Sequence, residues 1–419
     1  MSVPERIGVS TKLRIALIAS SRFPISQPFA GGLEAHVWHL SRALAGAGHQ
    51  VSVFAAPGSD LDLGCRTLAV RTLLVSESAR ADVSMSPEAF MADHHAYLTL
   101  MLELAGSAGS GFDIIHNHSL HYLPVGMAPM LSTPMLTTVH TPPTPWLESA
   151  IDASGGMGTK FAAVSAHTAA LWRNAIGHIS VVPNGIDSGQ WPLGSGGGPL
   201  LWFGRITAEK APHLAISAAL RARRPIVLAG PISDPKYFDE QVKPHFAEEV
   251  HYAGHLDHNQ LAELVGRASA VLVTPMWDEP YGLVVAEAMC SGTPVVAFAR
   301  GGIPELVAPQ SGRLVPPGDV AAMANAIPQV VRLSRVEVRR HAVEHCSSEA
   351  MLRAYLDLYR DMIDHCEDSH DRLLHSPRRL RASGPGDEHM HPAALPEHSI
   401  ELFGRVGSAS VHRGREATA

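Results

Sequence analysis

The chain has few cysteines, no long hydrophobic run and no excess of basic residues, and each absence excludes a class of protein. The four cysteines among 419 residues are scattered, without the paired spacing of a disulfide framework or a zinc site. No apolar run approaches the roughly 18 residues that a membrane-spanning helix needs. Lysine and arginine number 33 against 40 acidic residues, which is not the basic excess typical of nucleic-acid-binding proteins. We therefore expect a cytoplasmic globular protein that neither spans a membrane nor binds nucleic acid.

The remaining composition is that of a folded chain with more than one domain. Hydrophobic residues make up 46% of the sequence and charged residues 17%, a balance typical of globular proteins. A chain of 419 residues is longer than a single hydrophobic core normally supports, so two domains are expected.

Short apolar runs alternate with helical patterns through the first half. The run 13–18 is followed by apolar residues three and four positions apart between Leu33 and Leu44, and then by the run 51–54. This order predicts a strand, a helix and a second strand. Strands that alternate with helices indicate a parallel sheet covered on both faces. Further strands are predicted at 112–115, 135–139, 161–164 and 179–182.

A glycine run at 194–198 precedes a second alternation of strands and helices. Strands are predicted there at 200–203, 226–228, 270–273 and 294–297. The fold class is therefore predicted to be α/β, with two Rossmann-like parallel-sheet domains whose strand ends could face one cleft. The predicted segments are a first domain at 1–190, a Gly-rich linker at 191–199, a second domain at 200–345, a C-terminal helix at 346–367 that returns towards the first domain, and a disordered tail at 368–419.

Gly31 and Gly32 lie in the loop between the first predicted strand and its helix. Two glycines at this place permit left-handed backbone angles and leave the amides of the helix N-terminus open to an anion. The third glycine of the G-x-G-x-x-G pattern is missing, which argues against a nicotinamide-dependent dehydrogenase. The pair alone is equally compatible with a tight turn that binds nothing.

Arg205 and Lys210 follow the first strand of the second half, and Lys210 lies where the next helix opens. Two fixed cations at the carboxyl end of a strand, beside a helix N-terminus, suit a diphosphate. Without further support, the alternative is a pair of solvated surface side chains.

The segment 278–289 provides that support. Glu279 lies in the loop after a buried strand, and Glu287 lies on the following helix among apolar neighbours. A carboxylate in such surroundings costs free energy unless it has a polar partner. A ligand with several hydroxyl groups would be that partner, and the amides of Gly282 and Leu283 would bind a phosphate.

Several motifs of the chain together resemble those of retaining glycosyltransferases of family 4. The resemblance extends over residues 12–365 and implies the GT-B architecture, in which two Rossmann-like domains face each other across a cleft. It also implies hexosyl transfer from a nucleotide diphosphate sugar. The matching motifs are Gly31-Gly32, His140 after its strand, the segment 182–187, Phe203-Gly204-Arg205 with Lys210, the pair Glu279 and Glu287, and the segment 301–305.

The resemblance implies a role for each matching residue. Arg205 and Lys210 would neutralise the leaving diphosphate, while Glu279 would bind hydroxyl groups of the donor sugar. Glu287 would bind the ribose, and His140 would contact the sugar from the opposite wall. The residues implied in catalysis are Arg205, Lys210, Glu279 and His140. The residues implied in donor binding are Gly31, Gly32, Arg205, Lys210, Glu279, Tyr281, Gly282, Leu283 and Glu287.

Two further groups of polar residues were considered. His116 and His118 follow the strand at 112–115, and we place them on the acceptor side. Asp60-Leu61-Asp62 has the D-x-D spacing of the metal-dependent glycosyltransferase architecture, but it lies in a Pro-Gly-Ser loop and is interpreted as a solvated turn. The family resembled uses no metal there, so neither a metal nor a cofactor is expected besides the nucleotide sugar.

The substrates stay open at this point. A UDP-sugar is favoured as donor with GDP-mannose as the main alternative, and the acceptor is a small molecule, a glycan or a lipid-linked sugar. Residues 80–109 contain no lysine and only Arg80 among arginines. A surface that binds anionic lipids is usually basic, so the case for peripheral membrane contact is weak and a soluble acceptor is favoured.

Two other functions fit the same fold. A nucleotide-sugar epimerase would share the donor and act without an acceptor, so product analysis separates it from a transferase. A binding protein without catalysis is expected to have lost at least one of four residues. All four are present, namely Arg205, Lys210, Glu279 and Glu287.

Overall fold

The computed structural model describes residues 12–71, 73–106 and 108–375, with 367–375 described by their backbone only. Within these residues the chain forms two sheets, one in each half. The strands are β1 Arg14–Ile18, β2 Gln50–Ala55, β3 Cys65–Thr67, β4 Ile114–Asn117, β5 Met135–Val139, β6 Thr159–Ala163, β7 Ile179–Val181, β8 Leu200–Phe203, β9 Ile226–Ala229, β10 Val250–Tyr252, β11 Val271–Val273, β12 Val295–Phe298 and β13 Gly312–Val315.

Both sheets are parallel, and helices form most of the crossover connections between their strands. The strand order is β3-β2-β1-β4-β5-β6-β7 in the first sheet and β10-β9-β8-β11-β12-β13 in the second, and the pairings within them are parallel. Successive residues of β8 alternate between two cores, since Leu201 and Phe203 pack on one face of the sheet and Leu200 and Trp202 on the other. The predicted two-domain α/β class is thus confirmed.

The helices lie between the strands and after the last of them. No helix of the described residues is both long and apolar enough to cross a membrane. The helices are α1 Gly32–Gly46, α2 Glu77–Arg80, α3 Glu88–Ala105, α4 Tyr122–Met127, α5 Pro145–Ser154, α6 Ala166–Leu171, α7 Pro212–Arg221, α8 Pro235–Tyr237, α9 His258–Arg267, α10 Leu283–Cys290, α11 Val320–Val330, α12 Arg335–His345 and α13 Ser348–His375.

Three strands were not predicted from the sequence, and all three lie at sheet edges. They are β3, β10 and β13. An edge strand has one open side, so it tolerates charged or polar residues that interrupt an apolar run. Arg66 in β3, His251 in β10 and Arg313 in β13 are such residues.

The Gly-rich segment before β8 is bonded to the second half rather than free. The amides of Gly194 and Gly198 donate to Ser291 O at 3.0 Å and to Arg267 O at 2.8 Å. A Cβ atom on Gly194 would lie 2.1 Å from Gly266 O. These glycines therefore allow close packing of two backbones, where the sequence indicated only a flexible connection.

Helix α13 packs on the sheet of the first half. Met351, Tyr355 and Tyr359 are each 2% exposed or less and share a core with Leu13 and Ile15. The helix is described to His375, eight residues beyond the predicted end of the C-terminal helix at 367. No glycine or proline interrupts the chain between 348 and 375, and such residues are the usual helix breakers. The rest of the predicted disordered tail, from 376, lies outside the described residues.

Candidate active site

The carboxyl ends of both sheets border one cleft of about 370 Å³. Residues that directly follow strands line it, including His140 after β5, Gly204 after β8 and Thr274 after β11. The cleft also brings together every residue implied in donor binding, although these lie in segments up to 256 positions apart (from 31 to 287). They are Gly31, Gly32, Arg205, Lys210, Glu279, Tyr281, Gly282, Leu283 and Glu287.

Gly31 and Gly32 are explained by close packing and not by their backbone angles. Gly31 has an extended φ of −166°, and neither glycine has a positive φ, so the left-handed angles that glycine permits are not used here. A Cβ atom on Gly31 would lie 3.0 Å from Glu34 Oε2, and one on Gly32 would lie 2.8 Å from Leu283 Cδ1. The missing Cβ atom of Gly32 lets the first half approach the start of α10 across the cleft.

Glu34 is a cleft residue that was not predicted from the sequence. It lies in the first turn of α1 and is 4% exposed. Burial raises the pKa of its carboxyl, against the opposing effects of its own backbone amide and of the charges on Arg205 and Arg22. The signal that identifies Glu287, a carboxylate between apolar neighbours, could also have identified Glu34.

Arg205 has a weak partner and is available to a ligand. Its Nη2 atom donates to Glu209 Oε1 at 3.2 Å, and the two side chains are 39% and 44% exposed. An exposed ion pair of this kind contributes about 0–1 kcal/mol. A diphosphate with two charges would therefore readily displace the Glu209 carboxylate as the partner of Arg205.

Lys210 and Glu279 form an ion pair with each other, which the sequence did not indicate. Their side chains are 21% and 15% exposed, so the pair is largely shielded from water. Glu279 Oε2 also accepts from Trp277 Nε1 at 3.1 Å, and Lys210 Nζ lies 5.0 Å from the centre of the Trp277 ring. The carboxylate thus holds the ammonium in place at the cleft wall.

Helix α10 presents its N-terminus at the same wall. Gly282 precedes it with a φ of +103°, and a Cβ atom there would meet Ile303 Cγ1 at 3.0 Å, so both angle and space require glycine. Gly282 has no side chain to cap the helix, and the amides of Leu283 and Val284 precede the first bond of the helix, which Val285 N donates to Gly282 O at 2.9 Å. These amides offer an anion-binding site.

The loop between Glu279 and α10 is held from both sides. Tyr281 is 3% exposed and belongs to the core of the second half, so its ring supports the loop more than it contacts a donor. The carbonyl of Pro280 accepts from Ser165 Oγ at 2.5 Å and from Thr168 Oγ1 at 3.1 Å. The first half therefore fixes the backbone of the predicted donor loop.

Glu287 is a half-buried carboxyl on the second turn of α10, facing the cleft. Burial raises its pKa to about 7. Its neighbours Ala286 and Ala288 are fully buried and apolar. The carboxyl is therefore poised to bind a polar group that enters the cleft.

The three predicted histidines occupy different environments. His140 lines the cleft, and its Nε2 lies 2.9 Å from Nδ1 of His118 behind it. His116 is fully buried, with Tyr359 Oη 2.5 Å from Nδ1 and Thr138 Oγ1 2.7 Å from Nε2. Neither His116 nor His118 lines the cleft, and both are 0% exposed. Their placement on the acceptor side is wrong, because Tyr359 of α13 covers His116 and the rings of His36 and His140 enclose His118.

One group of the described residues has the spacing of metal ligands. His36, His118 and His140 place ligand atoms within 4.8 Å of one another, and burial lowers the pKa of each, that of His140 to about 3. Metal-bound imidazoles normally donate their second nitrogen to a partner. Both ring nitrogens of His36 have no partner among the described residues, so a metal bound by one of them would leave the other without this support.

The D-x-D sequence forms a turn, as expected. Asp60 Oδ1 accepts from the Asp62 amide at 3.1 Å, and Asp60 Oδ2 accepts from Trp38 Nε1 at 3.3 Å. Both carboxylate oxygens of Asp60 are thereby engaged, one within the loop and one by α1, and neither Asp60 nor Asp62 lines the cleft.

Two family models match consecutive parts of the chain. The model described as Glycosyltransferase Family 4 matches residues 30–190. The model described as Glycosyl transferases group 1 matches residues 190–345.

The chain is also similar to characterised proteins over most of its length. It is 30% identical to the glycogen synthase of Mycobacterium tuberculosis over 363 residues, which cover 76% of this chain and 86% of that protein. It is 28% identical over 413 residues to D-inositol 3-phosphate glycosyltransferase 2 of Catenulispora acidiphila, covering 84% and 95% of the two chains.

Solved structures share the fold. The sucrose-phosphate synthase of Thermosynechococcus elongatus superimposes with a TM-score of 0.68 at 22% identity, over 84% of this chain and 100% of that one. Anabaena Alr3699/HepE in complex with UDP-glucose superimposes with a TM-score of 0.64 at 16% identity, over 83% and 100%.

Proposed function

Since this chain belongs to the GT-B glycosyltransferases, we propose that it transfers a hexosyl group from a nucleotide diphosphate sugar to an acceptor hydroxyl with retention of configuration. The observation that supports this most is the grouping of two cations, the N-terminus of α10 and two carboxylates around one cleft. A UDP-sugar is the favoured donor, in keeping with the UDP-glucose bound to Anabaena Alr3699/HepE.

The cations act on the leaving group. Breaking the bond between sugar and diphosphate leaves negative charge on the diphosphate. Arg205, Lys210 and the first amides of α10 are in place before the reaction, so they stabilise this charge without reorganising. Exclusion of water from the cleft would protect the donor from hydrolysis.

The two carboxylates bind different parts of the donor in this proposal. Oε2 of Glu279 holds Lys210 and Trp277, which leaves Oε1 for a hydroxyl group of the sugar. Glu287 accepts hydrogen bonds from the ribose hydroxyl groups. These hydroxyl groups are the polar partner that a carboxyl in apolar surroundings needs.

His140 contacts the sugar from the opposite wall. Its low pKa, about 3, keeps the imidazole neutral. A neutral ring forms a hydrogen bond with a sugar hydroxyl and does not repel the positive charge that develops on the sugar. The acceptor attacks from the face where the diphosphate leaves, and the departing phosphate takes the proton of the acceptor hydroxyl.

A screen of UDP-, GDP- and ADP-sugars tests the proposed function. Released nucleotide identifies the donor, and proton NMR of the product gives the configuration at the anomeric carbon. An inverted product contradicts the proposed stereochemistry. An epimerised sugar formed without acceptor indicates a nucleotide-sugar epimerase, and UDP binding without turnover on the whole panel indicates a binding protein.

Full activity is expected in excess EDTA. Arg205 and Lys210 provide the positive charge that a divalent ion provides in metal-dependent transferases. The measurement is the initial rate with and without EDTA, and with added Mn²⁺ or Mg²⁺. Complete loss of activity in EDTA that either ion restores would contradict this expectation.

Donor affinity is expected to depend on pH through Glu287. Its pKa of about 7 means that the carboxylate, the better acceptor for ribose hydroxyl groups, predominates above pH 7 and is lost as the pH falls. If only the carboxylate binds well, the Kd for UDP rises about ten-fold from pH 8 to pH 6. Calorimetry at both pH values measures this change.

The Glu287→Gln variant is the reference for that experiment, because the phosphate of UDP itself titrates near pH 6. The variant retains the titration of UDP and lacks that of the carboxyl. An equal pH dependence in the wild type and the variant would show that Glu287 does not bind the nucleotide.

A further inference from the structure

Four aromatic side chains of the first half form a group that the proposed function does not use, and Trp146 is its exposed member. They are Phe90 and His94 of α3, Tyr122 at the start of α4 and Trp146 in the first turn of α5, and we call them the aromatic ledge. Trp146 is 59% exposed. An exposed tryptophan next to other aromatic rings is a common feature of binding surfaces.

The rings of the aromatic ledge fix one another. Trp146 and Tyr122 stack with centres 5.2 Å apart at 25°, and Trp146 and Phe90 lie 6.1 Å apart at 41°. His94 Nδ1 and Tyr122 Oη are 2.7 Å apart. These contacts support the Trp146 indole from below and leave the rest of it to solvent.

A column of stacked rings connects the aromatic ledge with the cleft. Tyr122 stacks on His121 and His121 stacks on Tyr97, each pair with centres 4.5 Å apart. The Tyr97 hydroxyl accepts from the Ser21 amide at 2.9 Å, beside the cleft residue Ser20. This column of rings leads from the aromatic ledge to the first-half side of the cleft.

The charge around the aromatic ledge is negative. No residue of α3, α4 or α5 is lysine or arginine, and the same helices carry Asp93 and Glu148. Burial lowers the pKa of His121 to about 4, so that ring adds no positive charge. Arg22 is the basic residue that the first half contributes to the cleft lining, and its charge acts on the carboxyl of Glu34. Such surroundings disfavour an acceptor that carries a phosphate or a carboxylate.

We propose that the aromatic ledge binds a neutral sugar ring of a carbohydrate acceptor, an inference that rests on the proposed glycosyl transfer. The C–H bonds on one face of a pyranose carry a small positive charge and pack on the negative face of an aromatic ring. The hydroxyl groups at the edge of the sugar stay solvated. A membrane surface would also attract exposed aromatic rings, but binding to anionic lipids requires the basic residues that this face lacks.

Saturation-transfer NMR on the full chain, without nucleotide sugar, tests this proposal. The probes are maltotetraose and methyl glycosides of glucose, mannose and galactose, with the 6-phosphate of each hexose as its charged counterpart. We expect transfer from aromatic protons to the neutral probes and much less to the phosphates. Trp146→Ala is expected to weaken maltotetraose binding about two- to ten-fold, and Trp146→Phe is expected to weaken it less.

Met157→Ala is the matched control, because Met157 is 63% exposed and lies at the other end of the strands. It precedes β6, whereas Trp146 follows β5. It should bind the probes like the wild type. The proposal is overturned if no neutral probe is saturated, if Trp146→Ala binds maltotetraose unchanged, or if the hexose phosphates are preferred. Binding to anionic-lipid vesicles that depends on Trp146 overturns it too.

Calorimetry with UDP separates this proposal from the proposed function. UDP affinity should be equal in the wild type and in Trp146→Ala, since the aromatic ledge lies apart from the donor residues. A wild type that fails to bind UDP contradicts the proposed transfer. The NMR probes report on the aromatic ledge in either case, because they are used without donor.

Discussion

Replacing Arg205 with alanine is expected to lower turnover about 100- to 1000-fold, and Lys210→Ala is expected to have an effect of the same size. Both cations act on charge that develops as the diphosphate departs, and loss of one such donor typically costs about 2.7–4 kcal/mol in the transition state. The measurements are kcat at saturating donor and the thermal unfolding temperature of each purified variant.

Arg267→Ala is the matched control for this prediction. Arg267 pairs with Glu263 at 3.6 Å in the same four-residue spacing as Arg205 and Glu209, but it is not among the residues that line the cleft. It should retain wild-type turnover. Near-wild-type turnover in Arg205→Ala would contradict the diphosphate assignment.

The two cationic variants should differ in stability. Arg205 and Glu209 are both well exposed, so Arg205→Ala should unfold close to the wild-type temperature. Lys210→Ala leaves the carboxylate of Glu279 without its charged partner in a largely shielded place, which costs more. A lower unfolding temperature for Lys210→Ala alone would support the ion pair as a structural contact.

The sequence predicts the position of most cleft residues because local patterns determine where strands end. His140 lies one residue after β5, and Arg205 lies two residues after β8. In a parallel sheet the carboxyl ends of the strands lie at one edge. A polar residue directly after a strand is therefore placed at that edge without knowledge of any long-range contact.

Contacts between distant segments could not be predicted in this way. His116 also follows an apolar run, yet it contacts Tyr359, 243 positions further along the chain. Lys210 and Glu279 were assigned separately, but they pair across 69 positions. A periodic apolar pattern shows that α13 packs on something, and it does not show which strand ends it covers.

Glycine is ambiguous in a sequence for a related reason. It fits positions that need a positive φ and positions where a Cβ atom would have no room. Gly282 satisfies both conditions, whereas Gly32 meets only the second, because its missing Cβ makes room for Leu283 of the other half. The residue type is the same in both cases, and only the tertiary structure separates the two reasons.

Glu279→Gln and Glu287→Gln are expected to have different kinetic defects. Glu287 contacts the ribose, which changes little during the reaction, so its amide variant should raise the donor KM and the Kd for UDP about ten-fold or more, with little change in kcat. Glu279 acts on the sugar as charge develops, so its amide variant should lower kcat about 100-fold. Steady-state kinetics at saturating acceptor and calorimetry with UDP measure both.

The ion pair makes the Glu279 result more informative. The amide can still accept hydrogen bonds from Lys210 and Trp277, but it no longer neutralises the ammonium, which becomes freer to bind a diphosphate. UDP affinity of Glu279→Gln should therefore equal or exceed that of the wild type. Weaker UDP binding would mean that the charge of Glu279 is needed to position Lys210.

Glu263→Gln is the control for both carboxylates, since Glu263 is 72% exposed and pairs only with Arg267 among the described residues. It should leave kcat, KM and UDP affinity unchanged. If Glu279→Gln weakens UDP binding while Glu287→Gln lowers kcat alone, the two assignments are reversed. Unchanged UDP affinity and unchanged kinetics in both variants would exclude both residues from the donor site, because a carboxyl that binds a reacting group cannot be neutralised without effect.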